Sequence, residues 1–150
     1  MAGKCLKSQT SRQHRVNIQR IEWQDTIPLR HRVLWPNESP EFCHVEGDSK
    51  AWHFGAFIDT KLVSVASVYP DGSSIRLRKF ATDTEHQGKG IGSAVLKKVL
   101  AEAKESDFSV FWCDARESAM SFYEQFGMKA EGERFFKASV PYFKMSMKLQ

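Results

Sequence analysis

The spacing of apolar and polar residues predicts four strands in the first half of the chain. Residues 16–21 alternate with a period of two, which is typical of a half-buried strand. Two runs rich in aromatic and β-branched residues, 51–57 and 62–69, are separated by a short link and predict a hairpin. After the turn residues Pro70-Asp71-Gly72, residues 75–82 predict the fourth strand. Because short links join the last three of these strands, we expect them to be antiparallel.

A helical period replaces the strand pattern after residue 90. Ile91, Val95, Val99 and Ala103 lie four residues apart, which predicts an amphipathic helix. The elements that follow are a strand, a second helix closed by a glycine, and two further strands, predicted over residues 108–113, 119–126, 129–136 and 142–149.

The segment between the first two strands predicts a short helix and a long loop. Asp25 or Thr26 can cap the helix, with Pro28 in its first turn. Residues 37–50 show no periodicity, and we expect an irregular loop of the kind that often faces a substrate. The whole order predicts a single α+β domain, with a mixed sheet of about seven strands packed by helices. The crossover through the long helix should make the fourth and fifth strands parallel neighbours.

Size and charge fit one domain with a short basic leader. The chain has 150 residues, 41% of them hydrophobic, which suffices for one core. Of the 22 Lys and Arg, four lie in residues 1–15, which contain no acidic residue, so the remaining 18 match the 18 Asp and Glu. We therefore expect a disordered leader over residues 1–15 and a domain over residues 16–150. Contact of the leader with nucleic acid is an alternative that we disfavour, because polar chain ends are usually only solvated.

The cysteines favour a reducing compartment. Cys5, Cys43 and Cys113 are odd in number and widely spaced, and neither they nor the five histidines have the spacing of a metal site. We expect no metal and a cytoplasmic location. The longest apolar runs are only strand-length, and no secretory signal follows the basic start, so we expect neither a membrane partner nor export.

Three glycines stand where the fourth strand ends and the long helix begins. A helix N-terminus presents free N–H groups and a partial positive charge, and glycine lets an anion such as a diphosphate approach closely. A tight turn also needs glycine, so the cluster alone leaves both interpretations open. A P-loop is excluded because Ser93-Ala94 follows the last glycine, and a G-x-G-x-G pattern after four strands does not fit a dinucleotide fingerprint. The turn reads Gln87-Gly88-Lys89-Gly90-Ile91-Gly92.

A second motif follows in the predicted second helix, Ala119-Met120-Ser121-Phe122-Tyr123-Glu124-Gln125-Phe126-Gly127-Met128. With the glycine turn, it resembles the GNAT (N-acetyltransferase) superfamily, whose motifs are Q/R-x-x-G-x-G/A and A-x-x-F-Y-x-x-x-G-F. The resemblance implies splayed fourth and fifth strands with the pantetheine arm of acetyl-CoA in the gap. It places the diphosphate at the glycine turn, and hydrogen bonds to pantetheine on the main chain of Phe80, Ala81 and Thr82.

Tyr123 is the catalytic residue that the resemblance implies. In the family, the tyrosine of the F-Y pair protonates the leaving CoA thiolate and so acts as a general acid. Alternatively, Tyr123 packs with its hydroxyl at the edge of the core, because Ala119, Tyr123 and Phe126 share a helix face. The chain departs from the family at Arg116, where many members carry asparagine, and this puts that CoA contact in doubt.

Charged residues near the gap have two interpretations each. Asp114 can accept a proton from an amine, but with Glu117 it also matches a capping box, which we favour. Arg76 and Arg78 should share a strand face with Phe80. They can bind an acidic acceptor or be solvated, and we favour solvation. No residue stands out as a general base, and a water relay is an option.

The function that these motifs predict is transfer of an acetyl group from acetyl-CoA to a primary amine. The expected partners are acetyl-CoA, as acyl-donor cosubstrate, and an amine acceptor that is a small molecule or a protein, while a homodimer stays open. The alternative is a catalytically silent acyl-CoA-binding or regulatory module. Release of free thiol across a panel of amines distinguishes the two.

Overall fold

The computed structural model of the chain describes residues 16–149. The predicted leader, residues 1–15, lies outside the described residues, so the division of the chain at residue 16 stays a prediction. In the described range, no helix is long and apolar enough to cross a lipid bilayer.

The elements of the described chain follow the predicted order, which confirms the α+β class. The strands are β1 (Asn17–Ile21), β2 (Trp52–Ile58), β3 (Lys61–Asp71), β4 (Ser74–Thr82), β5 (Val110–Arg116), β6 (Lys129–Lys137) and β7 (Val140–Lys148). The α-helices are α1 (Trp23–Leu29, continued by a π-helical turn over Arg30–Leu34), α2 (Ile91–Lys104) and α3 (Met120–Glu124). Short 3₁₀ turns cover Pro40–Cys43, Asp48–Lys50, Thr84–His86 and Glu117–Ala119.

The strands form one mixed sheet in the order β1-β2-β3-β4-β5-β7-β6. Neighbouring strands are antiparallel except β4 and β5, which are parallel and joined through α2, as predicted. Helices α2 and α3 cover one face of the sheet, over a main core that includes Val95 and Phe111. Helix α1 covers the other face, where Leu29 packs against Val65 and Ala81 in a smaller core. The sheet is therefore packed by helices on both faces.

Helix α1 begins earlier than predicted. Its first residue is Trp23, and the Asp25 carboxylate accepts a hydrogen bond from the Glu22 N–H at 3.1 Å. The prediction that Asp25 or Thr26 caps the helix is therefore wrong, because an acidic residue in the first turn can also bond back to the residue before the helix. Pro28 consequently lies near the end of the helix instead of in its first turn.

A buried ion pair joins the end of α1 to the loop before β2. The Arg30 guanidinium donates to both carboxylate oxygens of Asp48 at 2.8 and 3.1 Å, and both side chains are 0% exposed. Arg30 also donates to the hydroxyls of Ser67 and Tyr69 on β3 at 3.0 and 3.1 Å. The loop over residues 37–50 is thereby tied to the sheet.

The same network fixes the ionisation of its members. Burial alone raises the pKa of Asp48, but hydrogen bonds from Arg30, Tyr69 and the Val45 N–H lower it to about 2. The imidazole of His53, on β2, shares hydrogen bonds with the Asp48 carbonyl and the Ser67 hydroxyl, both at 2.7 Å. Burial lowers the pKa of His53, so the folded protein holds a neutral imidazole beside an ionised carboxylate at neutral pH.

Arg30→Met should lower the free energy of unfolding by about 3–5 kcal/mol, because the buried Asp48 carboxylate loses its main donor. Arg134→Met is the matched control. Arg134 pairs with Glu117 at the same 2.8 Å, but these side chains are 51% and 44% exposed, and such pairs contribute about 1 kcal/mol or less. Urea denaturation at neutral pH measures both losses, and equal losses would contradict the importance of the buried pair.

Candidate active site

Strands β4 and β5 separate soon after they begin. They pair at only three positions, Ser74 with Val110, Ile75 with Phe111, and Arg76 with Trp112. The rest of β4, up to Thr82, has no strand partner on its β5 side. The predicted splaying of the fourth and fifth strands is therefore confirmed, and a gap opens between two strands in the middle of the sheet.

A β-bulge lies in β4 at the start of this gap. Arg78 pairs with Ser67 and Ala81 with Val65, so Lys79 and Phe80 together stand opposite the single residue between those two partners on β3. Lys79 has a φ of +53°, which is uncommon for a residue with a side chain. Bulges of this kind bend a strand and redirect its side chains.

The bulge reverses the alternation of side chains along β4. Phe80 packs against the main core on the α2 face, whereas the Arg78 guanidinium lies 5.5 Å from the Tyr69 ring centre on the α1 face. The Arg76 guanidinium lies on that face too, 4.5 Å from the ring centre of Trp112. The prediction that Arg76 and Arg78 share a face with Phe80 is wrong, because the extra residue shifts the alternation by one.

The glycine turn lies between the short 3₁₀ turn that follows β4 and the start of α2. Gly88 and Gly90 have φ values of +78° and +82°, and a Cβ atom at either position would meet no other atom within 4 Å. Gly90 is the N-cap of α2, and neither a capping side chain nor an acidic residue occupies the first turn. The first N–H groups of a helix have no partner within the helix. The turn thus presents uncapped backbone donors beside two positions that lack side chains, which is the arrangement an anion needs.

The other residues of the turn have different surroundings. The Gln87 side-chain amide donates to the Thr82 carbonyl at 2.9 Å and links the turn to the end of β4. The Ile91 side chain is buried in the main core, so only its main chain is available to a ligand. Lys89 is exposed to solvent. Gly92 lies inside α2, where an added Cβ would make an ordinary contact of 3.5 Å with the Phe80 ring.

Aromatic side chains connect the glycine turn, the bulge and α3. The ring centres of Phe80 and Phe122 lie 6.1 Å apart, and those of Phe122 and Tyr123 lie 5.1 Å apart. Gly92 lies against Phe80 and Phe122. The two sequence motifs and the end of β4 therefore meet at one side of the gap.

The Tyr123 hydroxyl is held in its protonated form. Burial, together with the nearby Cys113 thiol, raises the pKa of Tyr123 well above its ordinary value. Within the described residues the hydroxyl makes no hydrogen bond, and it is not among the fully buried atoms that lack a partner. Burial likewise raises the pKa of Cys113, to about 12, so this group remains a neutral thiol. Both groups are therefore neutral in the folded protein at neutral pH.

Asp114 does not cap a helix. It lies within β5, where its carboxylate accepts hydrogen bonds from Arg76 at 2.9 Å and Lys137 at 3.3 Å. The prediction of a capping box with Glu117 is wrong, because β5 continues to Arg116 and a 3₁₀ turn separates it from α3. The expectation that Arg76 is only solvated is also wrong, because its guanidinium pairs with the Asp114 carboxylate.

Lys79 lies at the gap although no sequence pattern singles it out. It lies in the bulge, on the α1 face, with its ammonium 4.5 Å from the ring centre of Trp35. A lysine with a positive φ has no signature in a single sequence, since the residues that usually adopt this conformation are glycine, asparagine and aspartate.

Comparisons with known proteins agree on one family. Residues 37–149 match the family described as Acetyltransferase (GNAT) domain. The Bacillus subtilis protein named uncharacterized N-acetyltransferase YitI is 33% identical over 132 residues, which cover 80% of this chain and 87% of that protein. The chain therefore belongs to the GNAT acetyltransferase family and is an acyltransferase.

Solved structures show the same fold. The ribosomal-protein-S18-alanine N-acetyltransferase of Escherichia coli superposes with a TM-score of 0.75 at 16% identity, over 90% of this chain and 94% of that one. A GNAT family acetyltransferase from Elizabethkingia anophelis, solved with acetyl-CoA bound, gives a TM-score of 0.71 at 15% identity, over 90% and 99% of the two chains.

Gly90→Ala should destabilise the protein by about 1–2 kcal/mol, because a Cβ atom disfavours the left-handed conformation. Gly92→Ala is the matched control. It adds the same methyl group two residues later, at a helical position with room for it, and should leave stability unchanged or raise it by up to about 1 kcal/mol. Chemical denaturation without ligand measures both effects. Equal destabilisation by the two substitutions would show that the conformation of the turn is not what requires glycine.

Proposed function

We propose that this protein transfers the acetyl group of acetyl-CoA to a primary amine within the gap between β4 and β5. The observation that carries the proposal is the uncapped N-terminus of α2, with Gly88 and Gly90 facing open space, directly beside the separated end of β4. An anion binds at the first feature, and an extended polar chain binds at the second.

The residues present fit acetyl-CoA in two places. The backbone donors from Gly88 to Gly92 would hold the diphosphate, and the absence of side chains at Gly88 and Gly90 leaves room for it. Gln87 and Lys89 flank these donors, and Ile91 would contribute only its main chain. The unpaired edge of β4 at Phe80, Ala81 and Thr82 would hydrogen-bond the pantetheine arm. Acetyl-CoA supplies an activated acyl group with a thiolate leaving group.

Tyr123 would then act as the general acid. The amine nitrogen forms a bond to the acetyl carbon, the carbon–sulfur bond breaks, and the Tyr123 hydroxyl gives its proton to the departing sulfur. Its raised pKa keeps the Tyr123 hydroxyl protonated at neutral pH and makes it a weaker acid than an ordinary tyrosine, so the support for this role comes from its place in the second motif and not from the shift. A proton released by the amine returns to the tyrosine through solvent, so that proton number is conserved.

The amine would enter from the α1 face, opposite α2 and α3. The Asp114 carboxylate lies on that face, but Arg76 and Lys137 engage it at 2.9 and 3.3 Å, so it is not free to meet an amine. A water relay therefore remains our proposal for the base. We place the enzyme in the cytoplasm, which suits the free thiols of Cys43 and Cys113.

Acetyl-CoA should stabilise the folded protein, because the ligand binds only the folded state. At a hundredfold excess over the dissociation constant, the free energy of unfolding should rise by about 2.7 kcal/mol. Gly90→Asp should abolish this rise by placing a negative charge where the diphosphate lies. Thermal denaturation of the parent protein and of Gly90→Asp, with and without acetyl-CoA, measures this stabilisation.

Gly72→Asp is the matched control for this substitution. Gly72 also has a positive φ, of +63°, and open space around a Cβ, but it lies in the turn between β3 and β4. The stabilisation by acetyl-CoA should survive in this variant. A melting temperature of the parent protein that millimolar CoA and acetyl-CoA leave unchanged would refute the proposed site.

Tyr123→Phe should lower kcat by about 10²–10⁴, the usual contribution of a general acid, with little change in acetyl-CoA affinity. The ring and its contacts with Phe122 are retained. A single-turnover assay of free thiol release measures the chemical step, and Tyr142→Phe, which removes a hydroxyl from β7, should leave the rate unchanged. If the Tyr123 hydroxyl is only structural, the variant will lose about 1 kcal/mol of stability and keep its rate. Binding of acetyl-CoA without turnover of any amine would favour the silent binding module.

A further inference from the structure

The α1 side of the gap carries more positive than negative charge. Arg76, Arg78 and Lys79 of β4 and Lys137 of β6 contribute four cationic side chains. Arg76 and Lys137 share the Asp114 carboxylate at 2.9 and 3.3 Å. Arg78 and Lys79 have no carboxylate within salt-bridge distance among residues 16–149. Two cations are therefore left without a partner at the mouth of the gap.

These two side chains are held in place instead of extending into solvent. Both are half-buried, with the Arg78 guanidinium 5.5 Å from the ring centre of Tyr69 and the Lys79 ammonium 4.5 Å from that of Trp35. A fully solvated lysine or arginine side chain makes no such contact with an aromatic ring. The aromatic rings reduce the number of conformations the cations sample, so that less entropy is lost when they bind an anion.

Among residues 16–149, no negative charge close to Lys79 offsets that of its ammonium. Burial, and then the positive charges of Arg78, Arg30, Lys137 and Arg76, lower the pKa of Lys79 to about 8. Its neighbours thus disfavour the charged ammonium, and a bound anion would relieve this repulsion. A second positively charged ligand would increase it.

Acetyl-CoA does not account for these cations. In the proposed arrangement its diphosphate lies at the glycine turn, whereas Arg78 and Lys79 lie on the opposite face of the sheet, at the start of the splayed segment. That face is the side from which the amine would enter. An anionic group of the acceptor is the remaining ligand for Arg78 and Lys79.

We propose that the acceptor is an amine that carries a carboxylate or phosphate group, which Arg78 and Lys79 bind. This inference rests on the proposed function. Charge-assisted hydrogen bonds from the two cations would orient the acceptor, with its nitrogen directed into the gap. The same cations repel amines that carry further positive charges, so polyamines are excluded as good acceptors.

Matched acceptor pairs test the proposal. The pairs are β-alanine with β-alaninamide and phosphoethanolamine with ethanolamine, which separate a carboxylate from a phosphate source, and spermidine serves as the polycation. In the parent protein, kcat/KM should be higher for the anionic member of at least one pair. The ratio of kcat/KM for the anionic member to kcat/KM for its neutral partner measures this preference. Arg78→Gln and Lys79→Met should each lower the ratio on the order of tenfold, about the effect of losing one charge-assisted contact. Comparing ratios across variants cancels differences in amine basicity.

Lys98→Gln is the control for the loss of one positive charge. Lys98 is exposed on α2 and pairs with Glu102 at 3.7 Å, on the other face of the sheet. It should leave the ratio unchanged. Equal kcat/KM for the members of both pairs, with no change in Arg78→Gln or Lys79→Met, would overturn the inference and leave the proposed function intact.

Succinate provides a readout that does not depend on turnover. Trp35 lies 4.5 Å from the Lys79 ammonium, so intrinsic fluorescence should report saturable binding of succinate to the parent protein and to Lys98→Gln. Binding should weaken on the order of tenfold in Lys79→Met. Equal affinities in Lys79→Met and Lys98→Gln, or no binding, would overturn the inference. Failure to acetylate any amine would instead count against the proposed function, and the succinate titration would still decide whether Arg78 and Lys79 form an anion site.

Discussion

The chemistry of the domain depends on the parting of β4 and β5 in the middle of the sheet. After three paired positions the two strands diverge, and a bulge at Lys79 and Phe80 lies in the part of β4 that has left β5. In a regular parallel pair, the β5-facing backbone groups of β4 would be used in the ladder, and no ligand could reach them. The divergence leaves these groups without a strand partner at the end of β4 that precedes the glycine turn. A backbone site for an extended ligand and a turn suited to an anion are therefore adjacent because of the fold itself.

The bulge also gives the two faces of β4 different chemistry. Phe80 lies toward α2 and α3, where it joins the aromatic group that contains Tyr123. Arg78 and Lys79 lie toward α1, on the rings of Tyr69 and Trp35. Without the extra residue, Phe80 would be on the same face as Arg78. One face is thus apolar, and we propose that the leaving group is protonated there; the other is cationic, and we propose that the acceptor is recognised there.

The buried pair of Arg30 and Asp48 is connected to the aromatic rings that contact Arg78 and Lys79. It fixes the end of α1 against β3, and Arg30 donates to the hydroxyl of Tyr69, the ring under Arg78. Trp35, the ring under Lys79, follows directly after the same helical segment. Because the pair is fully desolvated and its hydrogen bonds are nearly complete, its geometry is strongly specified. The aromatic supports of both cations are therefore connected to a rigid part of the domain.

Local periodicity was sufficient to predict the order of the elements. The glycine turn and the Phe122-Tyr123 motif were also readable, since each is a short run with its own resemblance to a family. The errors have a common physical cause. The cap of α1 and the partners of Asp114 depend on hydrogen bonds between particular residues. The face of Arg78 relative to Phe80 depends on a bulge. Alternation and spacing along the chain encode neither. Arg30 and Asp48 are 18 positions apart, and nothing in their neighbourhoods distinguishes them from solvated residues before the chain is folded.

Backbone amide NMR during a titration with CoA reports which main-chain groups meet the ligand, without requiring turnover or an acceptor. We expect saturable shifts that are largest for the amides of Gly88, Gly90 and Gly92, with a second group at Phe80, Ala81 and Thr82. Shifts concentrated elsewhere in the domain, or an unchanged spectrum at millimolar CoA, would contradict the proposed site.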